Sequence, residues 1–88
     1  MMEFFPAQIL SRDGAVIADD VEIMLHFFRF GEEEKWGGSF EVPATTAMTQ
    51  HIYRIQLTNG RTGFMRVLAT QRRGNNLAVY YEGAGTFV

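Results

Sequence analysis

The sequence predicts an all-β fold: a small single-domain barrel or two packed sheets of about six short strands, with at most one short helix. Three observations predict it. Apolar and polar residues alternate with period two, most cleanly in residues 51–58. Turn signals such as Asn59-Gly60 and Arg73-Gly74-Asn75-Asn76 separate the alternating segments. The chain has 88 residues, 47% of them apolar and 14% aromatic, which suffices for one core and one domain.

From the N-terminus, residues 4–10 read as a strand, Arg12-Asp13-Gly14 as a turn, and residues 15–18 as a short strand. Residues 21–30 fit two patterns. As a strand they place Val21, Ile23, Leu25 and Phe27 on one face, and Glu22, Met24, His26, Phe28 and Phe30 on the other. As a helix they form a stripe of Val21, Met24, Leu25 and Phe28, with Asp19 and Glu22 resembling a capping box. The strand is preferred, because the cluster Phe27-Phe28-Arg29-Phe30 suits a pleated surface.

Residues 31–35 then make a solvated turn. Residues 36–42 form a strand with Phe40 and Val42 facing the core, and residues 42–50 form a loop across one end of the fold.

The next hairpin has a testable register. Tyr53, Ile55 and Leu57 share one face, Arg54, Gln56 and Thr58 the other. A two-residue loop at Asn59-Gly60 would pair Tyr53 with Arg66. A three-residue loop with a bulge at Gly60 pairs Tyr53 with Met65 and Ile55 with Gly63. The second is expected, since the first would bury an unpaired guanidinium. A return strand over residues 61–70 follows. The last strand begins at Leu77, with Leu77, Val79 and Tyr81 inward and Tyr80 outward, and Gly83-Ala84-Gly85 relaxes it or marks a bulge.

The residues 36–43 (Trp-Gly-Gly-Ser-Phe-Glu-Val-Pro), 53–63 (Tyr-Arg-Ile-Gln-Leu-Thr-Asn-Gly-Arg-Thr-Gly) and 83–85 (Gly-Ala-Gly) together resemble the layout of short uncharacterised bacterial β-barrel proteins, some encoded on mobile elements such as integron gene cassettes. The resemblance spans the C-terminal part of the chain. It implies a small barrel, and it implies no activity and no functional residue.

Net charge is −2, but it is unevenly spread. Residues 1–44 carry nine acidic and three basic side chains, a net −6; residues 45–88 carry five arginines and one glutamate, a net +4. If the halves interleave in one barrel, these charges pair across strands or stay solvated. Otherwise Arg54 and Arg66, with Arg72 and Arg73 at a turn, form a basic patch for an anionic partner, nucleic acid among the candidates, with Tyr80 available to stack. The acidic overall balance disfavours nonspecific DNA binding.

Both faces of residues 21–30 are largely apolar, more than an outer strand of a small domain can bury alone. Either the loop 44–50 or a second subunit covers Met24, Phe28 and Phe30. The expected outcome is a homodimer with a two-fold axis at that face. Trp36, beside Gly37-Gly38, is either a core aromatic packed over backbone or an exposed stacking platform.

Several chemistries lack their residues. There is no cysteine, hence no disulfide and no thiol nucleophile. His26 and His51 stand apart, with no second metal ligand at a familiar spacing, and His26 reads as structural. Ser11 and Ser39 lie outside any nucleophile motif, and no phosphate-binding glycine loop occurs. No metal, cofactor or membrane partner is expected, and the start lacks the basic and apolar regions of a secretory signal, so a cytoplasmic location is expected. The expected function is non-enzymatic: a protein-interaction or ligand-binding module that self-associates. Nucleic-acid binding is the alternative, and a small hydrolase or isomerase using converging acids is a third reading.

Overall fold

The structure is a computed structural model and describes residues 3–88; Met1 and Met2 lie outside it. Six antiparallel strands, β1 (Glu3–Ser11), β2 (Val16–Phe30), β3 (Glu33–Pro43), β4 (Ile52–Leu57), β5 (Thr62–Arg73) and β6 (Asn76–Gly83), close into one barrel in the order β1-β2-β3-β6-β5-β4. Closure leaves no unpaired sheet edge around the wall. Among the described residues there is no helix, so the helical alternative for residues 21–30 is excluded.

Those residues instead belong to a strand longer than expected. Residues 16–18 and 21–30 are not two strands but parts of β2, which runs through two register shifts against β1. Asp20 takes φ 53° at the one between the Val21 and Ala18 pairings, a conformation that acidic and amide side chains tolerate better than most. Val21, Ile23 and Leu25 point inward and are buried, in the alternation read from the sequence.

The β4–β5 hairpin has the expected register. Tyr53 pairs with Met65 and Ile55 with Gly63, and Gly60 takes φ 92° in the turn. Arg66 therefore points outward. Core residues come from every strand: Ile9, Ile23, Leu25, Phe40, Val42, Tyr53, Ile55, Met65, Val79 and Tyr81 fill the interior. The phenol of Tyr81 donates to the carbonyl of Met24 at 2.8 Å, tying β6 to β2 over the intervening β3.

Each end of the barrel has its own closure. Residues 44–51 cross one end from β3 to β4, and Met48 packs against the core. The loop across one end is thus present, but it does not cover Phe28 or Phe30, which stay exposed. At the other end the C-terminal segment folds back. Val88 and Thr62 exchange two backbone hydrogen bonds (2.6 and 2.9 Å), and Phe87 is buried beside Trp36 with ring centroids 4.8 Å apart.

Trp36 is a core residue, 3% exposed, and not an exposed stacking platform. Its indole lies against Gly83 and Gly63, where a Cβ would come within 2.2 and 2.9 Å of ring atoms. Its N–H donates to the carbonyl of Gly85 at 2.8 Å, which satisfies the one polar atom buried with the ring. These two glycines, on β5 and β6, make room for the ring.

Candidate functional site

The outer wall carries the features left over after the core is filled. Strand register lines up one row of outward side chains. Phe4 on β1 faces Met24 on β2, Met24 faces Ser39 on β3, and Ser39 faces Tyr80 on β6. Phe4, Met24, Ser39 and Tyr80, with Glu22, Glu41 and Arg73, line a shallow groove of about 530 Å³. Tyr80 is half-buried here, and its hydroxyl accepts from Arg73 Nη2 at 3.2 Å. Two residues read separately from the sequence, Met24 as an interface residue and Tyr80 as a contact aromatic, thus share one groove.

Beyond this row β2 and β3 leave the barrel. Pairing of β1 with β2 ends at Glu3 opposite Leu25, and pairing of β6 with β3 ends at Glu82 opposite Gly37. Among the described residues the remaining ribbon has no strand on either side, and its aromatics meet solvent. Phe28 stands opposite Lys35 and Phe30 opposite Glu33. Exposure is 62% at Phe4, 42% at Phe28 and 75% at Phe30. With half-buried Met24, these make an apolar stripe on the outside of β1 and β2, longer by Phe4 than the sequence indicated. Phe4 was missed because its place beside Met24 depends on the β1–β2 register. His26 lies in the stripe with its ring 5.2 Å from that of Phe28; its Nδ1 is enclosed and has no hydrogen-bond partner.

The four arginines singled out from the sequence do not meet at one point. Arg54 and Arg66 lie on the same outer face of adjacent strands, opposite Phe64 and Ile52 respectively. The Arg54 guanidinium sits 5.0 Å from the centroid of Phe64. Arg66 pairs with Glu82 at 2.8 Å. Arg72 and Arg73 stand at the β5–β6 tip, Arg72 donating to the carbonyl of Gly74 and Arg73 turned to Tyr80. Arg73 is seven residues beyond Arg66 along β5, about 20 Å at ~3.3 Å per residue.

Strand order does organise the charge. The N-terminal half builds β1-β2-β3 and the C-terminal half builds β4-β5-β6, and each set is contiguous in the barrel wall. The halves therefore do not interleave. The net −6 of residues 1–44 stands on one side of the barrel and the net +4 of residues 45–88 on the other. The ion pairs among the described residues, Lys35 with Glu33 and Arg66 with Glu82, each lie within one half and leave this division intact.

One arginine was not foreseen. Arg61 follows the Asn59-Gly60 turn and places its guanidinium 4.9 Å from the ring of Phe87 and 5.5 Å from that of Phe27. It packs the C-terminal closure against the β2–β3 ribbon. The signal for it, a lone arginine after a turn, is indistinguishable in sequence from a solvated one. A second groove of about 540 Å³ opens at this end between the ribbon and the closure, lined by Phe27, Phe28, Phe87, Glu33, Glu34 and Glu82 among others. Two of these acids are engaged, Glu33 by Lys35 and Glu82 by Arg66.

Two ionisable groups depart from their ordinary values. Burial pushes the Tyr81 phenol well above its usual value of 10.0. The hydroxyl of Ser11 donates to Asp13 in the β1–β2 turn and lowers that carboxyl. Both serve structure. Among the described residues no cluster of three or more His, Asp or Glu could hold a metal ion, and no helix is long and apolar enough to cross a membrane. Compared with protein-family models, curated proteins and solved structures, the chain matches none of them.

Proposed function

We propose that this chain is a non-enzymatic interaction module that associates with further copies of itself through the outer stripe of Phe4, Met24, Phe28 and Phe30. The observation that carries this reading is the exposure of three phenylalanines, Phe4, Phe28 and Phe30, along the outer side of β1 and β2. Single exposed apolar residues are ordinary, but an aromatic row beside a groove is a costly surface for a lone small domain. Aromatics and methionine are also the side chains enriched where proteins meet. The barrel interior is occupied by core side chains, which favours a binding role at the outer wall over catalysis inside the barrel.

The test is light scattering on Phe28→Glu. Wild type is expected to show a mass above the monomer and the variant a monomer mass, with the fold unchanged by circular dichroism. Equal monomer masses for both would end the proposal.

A second reading, nucleic-acid binding by the arginine-bearing side, has one observation in its favour: Arg54, Arg66 and Arg72 stand on the half of the wall where positive charge collects. A gel-shift with single-stranded DNA or RNA across a salt series tests it, and absence of retention at low salt removes it.

A further inference from the structure

The stripe lies on the acidic half of the barrel, and this bears on what can cover it. Glu22 and Glu41 border the groove beside Phe4 and Met24, and Glu32, Glu33 and Glu34 follow Phe30 at the ribbon turn. A two-fold contact through this face would set the −6 half of one copy against the −6 half of another. Like charges placed face to face oppose association and suppress that geometry.

The opposite side of the same molecule presents the complementary chemistry. Phe64 and Leu68 are exposed on β5, with Arg66 between them and Arg54 opposite Phe64 on β4, while Arg72 stands farther along β5 at the β5–β6 tip. This surface pairs exposed apolar groups with positive charge, where the other pairs them with negative charge.

The geometry points to a head-to-tail contact: the acidic, phenylalanine-bearing wall of β1–β3 docks on the basic wall of β4 and β5 of the next copy. The inference rests on self-association as proposed above and names the surface that receives the stripe. Because the two contacting surfaces differ, a bound pair leaves one surface of each kind unused. Assembly then continues beyond two copies, unless the rotation between neighbours closes a ring. Its electrostatic part acts between exposed groups, so salt weakens it.

Charge exchange with rescue tests this contact. One variant carries Glu3→Lys, Glu22→Lys, Glu32→Lys and Glu41→Lys, which makes the acidic wall net positive. The other carries Arg54→Glu, Arg66→Glu and Arg72→Glu, which makes the basic wall net negative. Circular dichroism establishes that each is folded, and sedimentation velocity reads the mass.

At low salt the wild type is expected to show species larger than a dimer, falling towards the monomer at high salt. Each variant alone is expected to be monomeric, since both of its walls then carry the same sign. An equimolar mixture is expected to recover masses at least three-fold the monomer. Association of either variant alone at wild-type strength, or a mixture that stays monomeric, would overturn the head-to-tail contact. If Phe28→Glu abolishes association in that case, self-association through the stripe still stands. A wild type that is monomeric at every concentration and salt removes both.

Discussion

Gly83→Ala tests how the barrel holds its single tryptophan. Gly83 lies at the end of β6, beneath the indole of Trp36. A methyl carbon built there falls 2.2 Å from Cε2, 2.3 Å from Nε1 and 2.6 Å from Cδ2. Non-bonded carbons rest at about 3.5–4.0 Å, so one of the two groups has to move by more than about 1 Å.

The indole is poorly placed to yield. Its N–H is bonded to the Gly85 carbonyl, and the rings of Phe87 and Tyr81 meet it edge-on at 4.8 and 6.1 Å. Overpacking of this kind costs about 1–3 kcal/mol, and losing the indole hydrogen bond adds about 1 kcal/mol. A loss near 2 kcal/mol lowers the urea midpoint by about 1–2 M at a slope of about 1–2 kcal/mol per M. It also lowers Tm by about 8–16 °C.

The assay is urea unfolding followed by tryptophan fluorescence and circular dichroism, repeated by circular dichroism alone in a Trp36→Leu background. There the added methyl has room, and the cost of Gly83→Ala is expected to fall below about 1 kcal/mol, a coupling that the four-variant cycle reads directly. A Gly83→Ala protein that unfolds at the wild-type midpoint, or an equal cost in both backgrounds, would refute this account of the core.

Further outcomes follow from other contacts. Gly60→Ala forces an L-residue to adopt φ 92° in the β4–β5 turn and is expected to cost about 1–2 kcal/mol in urea unfolding. Phe87→Ala empties the aromatic contact that closes one end of the barrel and removes a partner of Arg61. A loss of about 3 kcal/mol is expected, with faster hydrogen exchange at the amides of Thr62 and Val88. Tyr81→Phe leaves the Met24 carbonyl without its donor, at a cost of about 1–2 kcal/mol at neutral pH. The folded state holds the Tyr81 proton more tightly than the unfolded chain does. Wild-type stability is therefore expected to decline as pH rises past the ordinary value of 10.0, and Tyr81→Phe is expected to decline less steeply in a pH series of unfolding curves.

Local chemistry made the hairpins legible in the sequence. The β4–β5 register follows from two local facts, a glycine able to take positive φ and an arginine too costly to bury, and it is found as expected. The inward face of Val21, Ile23 and Leu25, and the division of Tyr80 from Tyr81, follow from period two alone. What local patterns could not carry was set by pairing across the barrel. Asp19-Asp20 reads as a break between strands, yet β2 continues through it beside β1, with the register shifting between the Val21 and Val16 pairings. The place of Trp36 was undecided because the residues that give it room, Gly63 and Gly83, lie far along the chain. The charge asymmetry was visible in the sequence, but its separation into two walls depends on β3 pairing with β6 and β1 with β4. A chain whose halves interleaved would have the same composition and no such division.

The central claim is that the exposed phenylalanine stripe is a contact surface. Sedimentation equilibrium of the wild-type protein at low salt, over a wide range of concentration, tests it most directly. A weight-average mass that climbs with concentration beyond that of two chains is expected. A mass fixed at 10.0 kDa throughout would contradict it.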